Sequence, residues 1–449
     1  MRRLPGRDRP AGVAAARPGA TRPGGGDPDT GRHALRRRGA RPVPGGLRRP
    51  GPAELHPRAV GARRRAVPPV TGDARRATRH TPLLAVTLAV SAVLLAALVV
   101  AASGHDRSHG PSAAGSPTPS APAATPERDR LRDLMPSGVR IGTAIDGRAL
   151  SLDSTYRDVL AAEFDTVTAE NAMKWRNLEP TEGVNTWVGA DQLVDFAQRN
   201  RQSVYGHTLV WHNDVPQWVS PDWSPERLRA VLRAHVTAVV SRYRDRVWAW
   251  DVVNEALDED GSLRDTLWLR KLGPGYIADA FRWAHGADPG ARLFINDYGT
   301  EERTRKADAL LKLVRDLRAQ GVPVDGVGFQ AHLESDRPPA GLLANLHRFA
   351  ALGVSVAITE LDVRVKLPAG PEKLRQQAAV YRDVLAACLS VPACVSLTVW
   401  GFTDARSWIP NYHRGYGAAC LLDDRYRPKP AHAAMIELLG TRHPRGPGA

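Results

Sequence analysis

The run VWAWDVVNE, residues 247–255, decides how this chain is read. Its valines and tryptophans suit a buried strand, yet it finishes on an amide and a carboxylate, Asn254 and Glu255. Such a pair alone commonly marks a strand giving way to a solvated loop. Its meaning therefore rests on how other strands finish.

Seven further runs have the same character: VRIGTAID (139–146), DTVTAEN (165–171), SVYGHTLVW (203–211), RLFINDYG (292–299), GVGFQAH (326–332), SVAITELDV (355–363) and VSLTVWGFT (395–403). Segments of helical period separate them, such as SPERLRAVLRAHVTAVVSRYR and TRKADALLKLVRDLRAQG, with Ser-Pro or Gly at their ends. Strand and helix alternating eight times over roughly 300 residues fit an α/β chain closed into a (β/α)8 TIM barrel better than a doubly wound sheet. In such a barrel the C-terminal ends of the strands form the functional face. Those ends carry Glu170 and Asn171, His207 and Trp211, Asn254 and Glu255, Asn296 and Tyr298, Gln330 and His332, Glu360 and Asp362, and Trp400. Chance placement of loop residues accounts for two or three of these, not for seven strands ending alike.

Glu255 and Glu360 close the fourth and seventh runs, on opposite sides of one barrel mouth. No HExxH motif, Cys/His cluster or Gly-rich phosphate loop accompanies them, so neither a metal nor a nucleotide cofactor is expected. Two carboxylates in a Trp-lined cleft suit glycosidic hydrolysis, which needs a proton donor to the leaving oxygen and a second carboxylate at the anomeric carbon. Residues two apart share a face of a strand. On that basis His332 is expected between Glu360 and Asp362 on the adjacent strand, bonded to both.

The formal net charge of +15 is misleading as a pointer to nucleic acid. Residues 1–80 hold 20 Arg against 5 acidic groups, and the remainder is balanced at 42 of each sign. No polyanion partner is implied for the folded part. The first 80 residues, rich in Arg, Gly, Pro and Ala without hydrophobic periodicity, are expected to be disordered. An over-extended reading frame is the alternative, since Met1 is the only methionine before Met135. Within residues 81–102, the run LLAVTLAVSAVLLAALVVAA (83–102) is long enough to cross a bilayer, and Arg75, Arg76, Arg79 and His80 before it favour a cytoplasmic N-terminus. Ala101-Ala102-Ser103 equally offers a cleavage site. Anchor or signal, either reading exports the C-terminal remainder of the chain: a Ser/Pro/Ala linker over 103–127 and a catalytic domain over 128–441. Export permits a disulfide, for which Cys388 and Cys394 are close in sequence, leaving Cys420 as a buried apolar residue.

The motifs NAMKW (171–175), GHTLVWH (206–212), WDVVNEA (250–256), NDY (296–298), GFQAH (328–332), ITELDV (358–363) and VWGFTDARSWIP (399–410) occur in an order that resembles glycoside hydrolase family 10, the endo-β-1,4-xylanases, over about residues 130–440. The resemblance implies that Glu255 is the acid/base and Glu360 the nucleophile of a retaining reaction on xylan and xylo-oligosaccharides. It implies that Asn254 holds the 2-hydroxyl of the sugar under attack and that His332 and Asp362 support the nucleophile. By the same resemblance Glu170, Asn171, Lys174, His207, Trp211, Gln330, Trp400 and Trp408 bind the glycone side, Tyr298 lies near the cleavage point, and Cys388 pairs with Cys394. A monomer is expected. One departure stands out: the family commonly has Asn after NDY, where this chain has Gly299. Another β-1,4-glycanase of the same barrel clan and a catalytically silent carbohydrate-binding barrel are the alternative readings.

Overall fold

The computed structural model describes residues 129–442. The basic tail, the apolar run 83–102 and the linker over 103–127 lie outside the described residues. Eight parallel strands form the barrel: β1 (Arg140–Ile145), β2 (Thr166–Ala169), β3 (Ser203–Gly206), β4 (Ala249–Asn254), β5 (Arg292–Asp297), β6 (Gly326–Phe329), β7 (Ser355–Lys366) and β8 (Cys394–Val399). Each pairs with the next, and β1 pairs with β8 through Arg140↔Ser396 to Thr143↔Val399, which closes the ring. Eight principal helices alternate with the strands: α1 (Ser154–Glu163), α2 (Val188–Arg199), α3 (Pro225–Arg242), α4 (Tyr276–Ala287), α5 (Arg305–Ala319), α6 (Leu342–Ala350), α7 (Pro371–Leu389) and α8 (Pro430–Arg442).

Local chemistry sets the helix starts. The Ser224 hydroxyl accepts from the Arg227 amide ahead of Pro225, and the Thr304 hydroxyl accepts from the Ala307 amide. The inside of the barrel is filled by Tyr205, Ala249, Phe294 and Ala357 with Trp248 and Val395 against them, while Ile141, Val167, Val252, Val253, Ile295 and Leu361 belong to the larger core under the helices. Gly206, paired with Trp250, is small for a steric reason: a Cβ there would stand 2.1 Å from Cε3 of the Trp250 ring.

Both strands that carry the glutamates slip by one residue near them, below Glu255 in β4 and around Glu360 in β7. Along β4 and β5 the register passes from Asp251↔Phe294 to Val253↔Ile295, so β4 holds one residue more than its partner. Along β7 and β8 it passes from Ile358↔Leu397 to Leu361↔Val399, again with one extra residue on the glutamate-bearing strand. These are β-bulges, and each re-aims the side chains above it. Asp251 points into the barrel, Val252 and Val253 both belong to the outer core, and Asn254 points inward again.

Three expected strands end early, among them the run 395–403, which stops at Val399. The run 203–211 stops at Gly206 because the Thr208 hydroxyl and the Leu209 and Val210 amides turn onto the carbonyls of Asp251 and Val252. The run 326–332 stops at Phe329: Ala331 takes φ 59°, with its amide held by the buried Glu301 carboxylate at 2.8 Å, and a short strand resumes over His332–Glu334 against β7. Cys388 at the end of α7 and Cys394 at the start of β8 form a disulfide, and Cys420 is free and buried.

Candidate active site

Glu255 follows the last residue of β4 and has φ 56°, a conformation disfavoured for a residue with a Cβ. Its backbone is over-determined by neighbours: the amide donates to the Asn296 carbonyl at 2.8 Å, and its carbonyl accepts from Arg264 Nε at 3.0 Å. Its carboxylate accepts from Trp211 Nε1 at 2.9 Å on Oε2 and from Gln330 Nε2 at 3.2 Å on Oε1. The side chain is thus fixed from both sides while remaining only partly covered.

Glu360 is buried. Its Oε1 accepts from Asn296 Nδ2 at 2.8 Å, and its Oε2 lies 3.2 Å from His332 Nε2. His332 Nδ1 is 3.0 Å from Asp362 Oδ2, an oxygen that also accepts from Trp408 Nε1 at 2.7 Å. Burial opposes a charge on His332, but the Asp362 and Glu360 carboxylates outweigh it and hold the imidazole up to about 10. Burial likewise opposes a charge on Glu360, and the hydrogen bond from His332 with the nearby His207 and His332 rings wins, keeping this carboxyl below the usual range. The arrangement is a carboxylate–imidazolium–carboxylate row, with both ring N–H groups donating.

The two glutamates are joined through amides. Gln330 Nε2 reaches both Glu255 Oε1 and, at 3.3 Å, Asn254 Oδ1. Asn296 Nδ2 reaches both Asn254 Oδ1, at 2.9 Å, and Glu360 Oε1. Asn296 is oriented in turn by Thr359 Oγ1, which donates to its Oδ1 at 2.6 Å.

On one side of this row stand Glu170, Asn171, Lys174, His207 and Trp211, from the ends of β2 and β3. Lys174 Nζ donates to Asn171 Oδ1 at 3.0 Å and lies 4.8 Å from the centre of the Trp211 ring. Burial pushes the Glu170 carboxyl up, with Lys174 opposing. His207 Nδ1 is 2.8 Å from Asp251 Oδ2, and Tyr205 donates to the other oxygen of Asp251 at 2.7 Å. A ligand atom each from His207, Asp251 and Glu360 fall within 4.8 Å of one another, but hydrogen bonds within the protein already engage these groups, so the set fits a polar relay rather than a metal cage. Trp400 meets the His207 ring edge-on at 5.2 Å, and Trp408 meets His332 at 5.0 Å.

On the other side lies Tyr298, after β5. Its hydroxyl accepts from Arg264 Nη2 at 2.9 Å, and the buried Lys306 ammonium sits 3.3 Å from its ring centre. Lys306 pairs with Asp297 at 3.0 Å, yet burial still pushes the Asp297 carboxyl up to about 7. Gly299 has φ 66°, and the nearest atom to where a Cβ would stand is Glu259 Oε2 at 3.7 Å.

All the expected site residues therefore meet at one mouth, although Gln330 and His332 get there through the left-handed turn at Ala331 rather than by plain strand alternation. Asn296, Asp251, Tyr205, Thr359 and Arg264 were given no role by the sequence. A signal existed for Asp251, a charged residue inside an apolar run, and for Asn296, which opens the NDY motif.

Residues 131–438 match the family described as glycosyl hydrolase family 10. The chain is 43% identical over 299 residues to an endo-1,4-beta-xylanase of Agaricus bisporus, covering 66% of this chain and 90% of that one. It is 41% identical over 306 residues to endo-1,4-beta-xylanase B of Thermotoga neapolitana, covering 67% and 88%. Its fold is similar to the crystal structure of xylanase 10B from Thermotoga petrophila RKU-1 in complex with xylobiose, at a TM-score of 0.69 and 40% identity over 70% of this chain and 98% of the other. Native xylanase 10B from Thermotoga maritima gives a TM-score of 0.68 at 41% identity, over 70% and 99%. With the matched segment spanning the whole barrel, the chain belongs to glycosyl hydrolase family 10.

Proposed function

We propose that the barrel is an endo-β-1,4-xylanase that hydrolyses internal xylosidic bonds with retention. The observation that carries this reading is the continuous amide bridge from Glu255 through Gln330, Asn254 and Asn296 to Glu360. It holds two carboxyl groups of unlike environment across one mouth. Glu360, kept ionised by His332, attacks the anomeric carbon; the leaving oxygen takes the proton of Glu255 as the glycosidic bond breaks. Glu255 then accepts a proton from water as that water displaces Glu360 from the same carbon. Family membership and the xylanase relatives support xylan as the substrate.

The test uses an aryl xylobioside whose leaving group needs little acid help. Glu255→Ala should accumulate the covalent intermediate, and azide should restore turnover with a β-glycosyl azide as product. Glu360→Ala should lose nearly all activity, any azide rescue giving the α-anomer. Swapped anomers by proton NMR would reverse the two roles, and inversion by the native enzyme would remove the covalent step.

The location of the enzyme is part of the same proposal. The apolar run 83–102 supports export of the barrel, either tethered by an uncleaved segment or released after cleavage. N-terminal sequencing of cell-surface and culture-fluid enzyme separates the two, and an enzyme confined to the cytoplasm would contradict both.

A further inference from the structure

The loop after β4 brings a second acidic group to the mouth, on the side away from Glu170, Lys174 and His207. Glu259 Oε1 is 3.3 Å from Lys306 Nζ, which lies against the Tyr298 ring. The Lys306 side chain is 1% exposed while that of Glu259 is 71% exposed, so the pair has one anchored and one free end. Lys306 also pairs with Asp297 beneath it at 3.0 Å, and Arg264 with Asp258 at 3.0 Å. Glu259 is the most exposed acid of this group, so its charge is the one that a ligand on this rim meets. Its Oε2 borders the space over Gly299, where no side chain stands to donate to it.

We propose that Glu259 determines which branched sugars are accepted on the leaving-group side of the cleft, by accepting hydrogen bonds from the hydroxyls of a neutral leaving xylose and repelling one that carries a glucuronate branch. The proposal rests on the xylanase reading and deepens it. Tyr298 supplies the ring against which the leaving sugar packs, and Lys306 fixes the distance between that ring and the Glu259 carboxylate. A like charge brought within one sugar ring of an exposed carboxylate disfavours binding by a small factor, about threefold at low ionic strength, and salt screens it.

Internal competition in one digest of glucuronoxylan reads this directly, because the product released from the leaving side begins, at its non-reducing end, with the ring that sat beside Glu259. The measured quantity is the initial rate of forming products with a glucuronate on that terminal xylose, relative to unbranched products. In Glu259→Gln this ratio should rise about threefold over the native enzyme at about 10 mM salt and return to the native value at about 0.5 M salt. Glu259→Asp, which keeps the charge, should stay near the native ratio. An unchanged ratio in Glu259→Gln, or a change that survives high salt, would overturn the proposal. A native enzyme that released no xylan products would defeat the xylanase reading instead.

Discussion

His332 Nε2 lies 3.2 Å from Glu360 Oε2, and both partners are ionised across the neutral range. The imidazole, raised to about 10, contributes stability that is fully present below its unfolded value near 6.5 and is lost as pH rises through about 10. Glu360, lowered from 4.5, contributes stability present above that value and lost as pH falls through its folded value.

Replacing the ring separates these effects. In His332→Asn the buried Glu360 loses its cation, so the acid limb of kcat/KM should move to higher pH, with activity at pH 5 falling by at least about tenfold more than at pH 7. The alkaline loss of stability near pH 10 should weaken in the same variant. An acid limb at the native position would show that His332 does not govern the nucleophile.

Lys306→Met leaves Asp297 buried without its cation. Because burial already raises this carboxyl to about 7, its ionised form is the one that loses most. Removing one partner of a buried pair costs about 3–5 kcal/mol. The loss should be close to that at pH 8 and smaller at pH 5, where the acid is protonated in either protein. Thermal unfolding at the two pH values checks this, and an equal loss at both would refute it.

Trp175 stacks on His235 at 4.1 Å and 10° and on Trp268 at 5.8 Å and 14°, immediately after Lys174. Trp175→Ala should cost about 3–5 kcal/mol, or roughly 5–8 °C in Tm for a domain of this size. It should also raise KM for xylo-oligosaccharides, since Asn171 and Lys174 lose their support. Unchanged KM in a destabilised variant would confine Trp175 to packing.

Gly206→Ala tests the close approach of β3 to Trp250. A methyl 2.1 Å from the ring forces one of them to move, at a cost of about 1–3 kcal/mol, and the adjacent His207 should shift with the backbone. A lower Tm with a reduced kcat is expected. Native values for both would mean that the indole has room to yield.

The barrel was readable because all eight runs combine strand composition with helices of clear period, and because polar residues such as Glu360 and Asn254 gather at one end. The early ends of β3 and β6 were not readable. Each depends on a distant partner, Asp251 and Val252 for Thr208 to Val210, and Glu301 for Ala331, that local pattern does not disclose. The same limit hid Asp251 and Tyr205 behind His207: a relay three side chains deep is set by which strands become neighbours. Asn296 was visible as a polar strand end, but its double donation to Asn254 and Glu360 exists only once β4, β5 and β7 share a barrel.

The bulges in β4 and β7 give the barrel two parities. Below each slip, inward and outward positions follow one count, and above it they follow the other, so Asp251 and Asn254 both face the axis though an odd number of residues apart. The floor that packs Tyr205, Ala249, Phe294 and Ala357 is thereby uncoupled from the rim that bears the glutamates. Point changes in the floor can be absorbed without turning the rim. Deleting Val252 would leave Asp251 and Asn254 two residues apart, both facing the axis by plain alternation, whereas deleting a residue outside the slip, such as Trp250, would turn one flank of the strand off the axis.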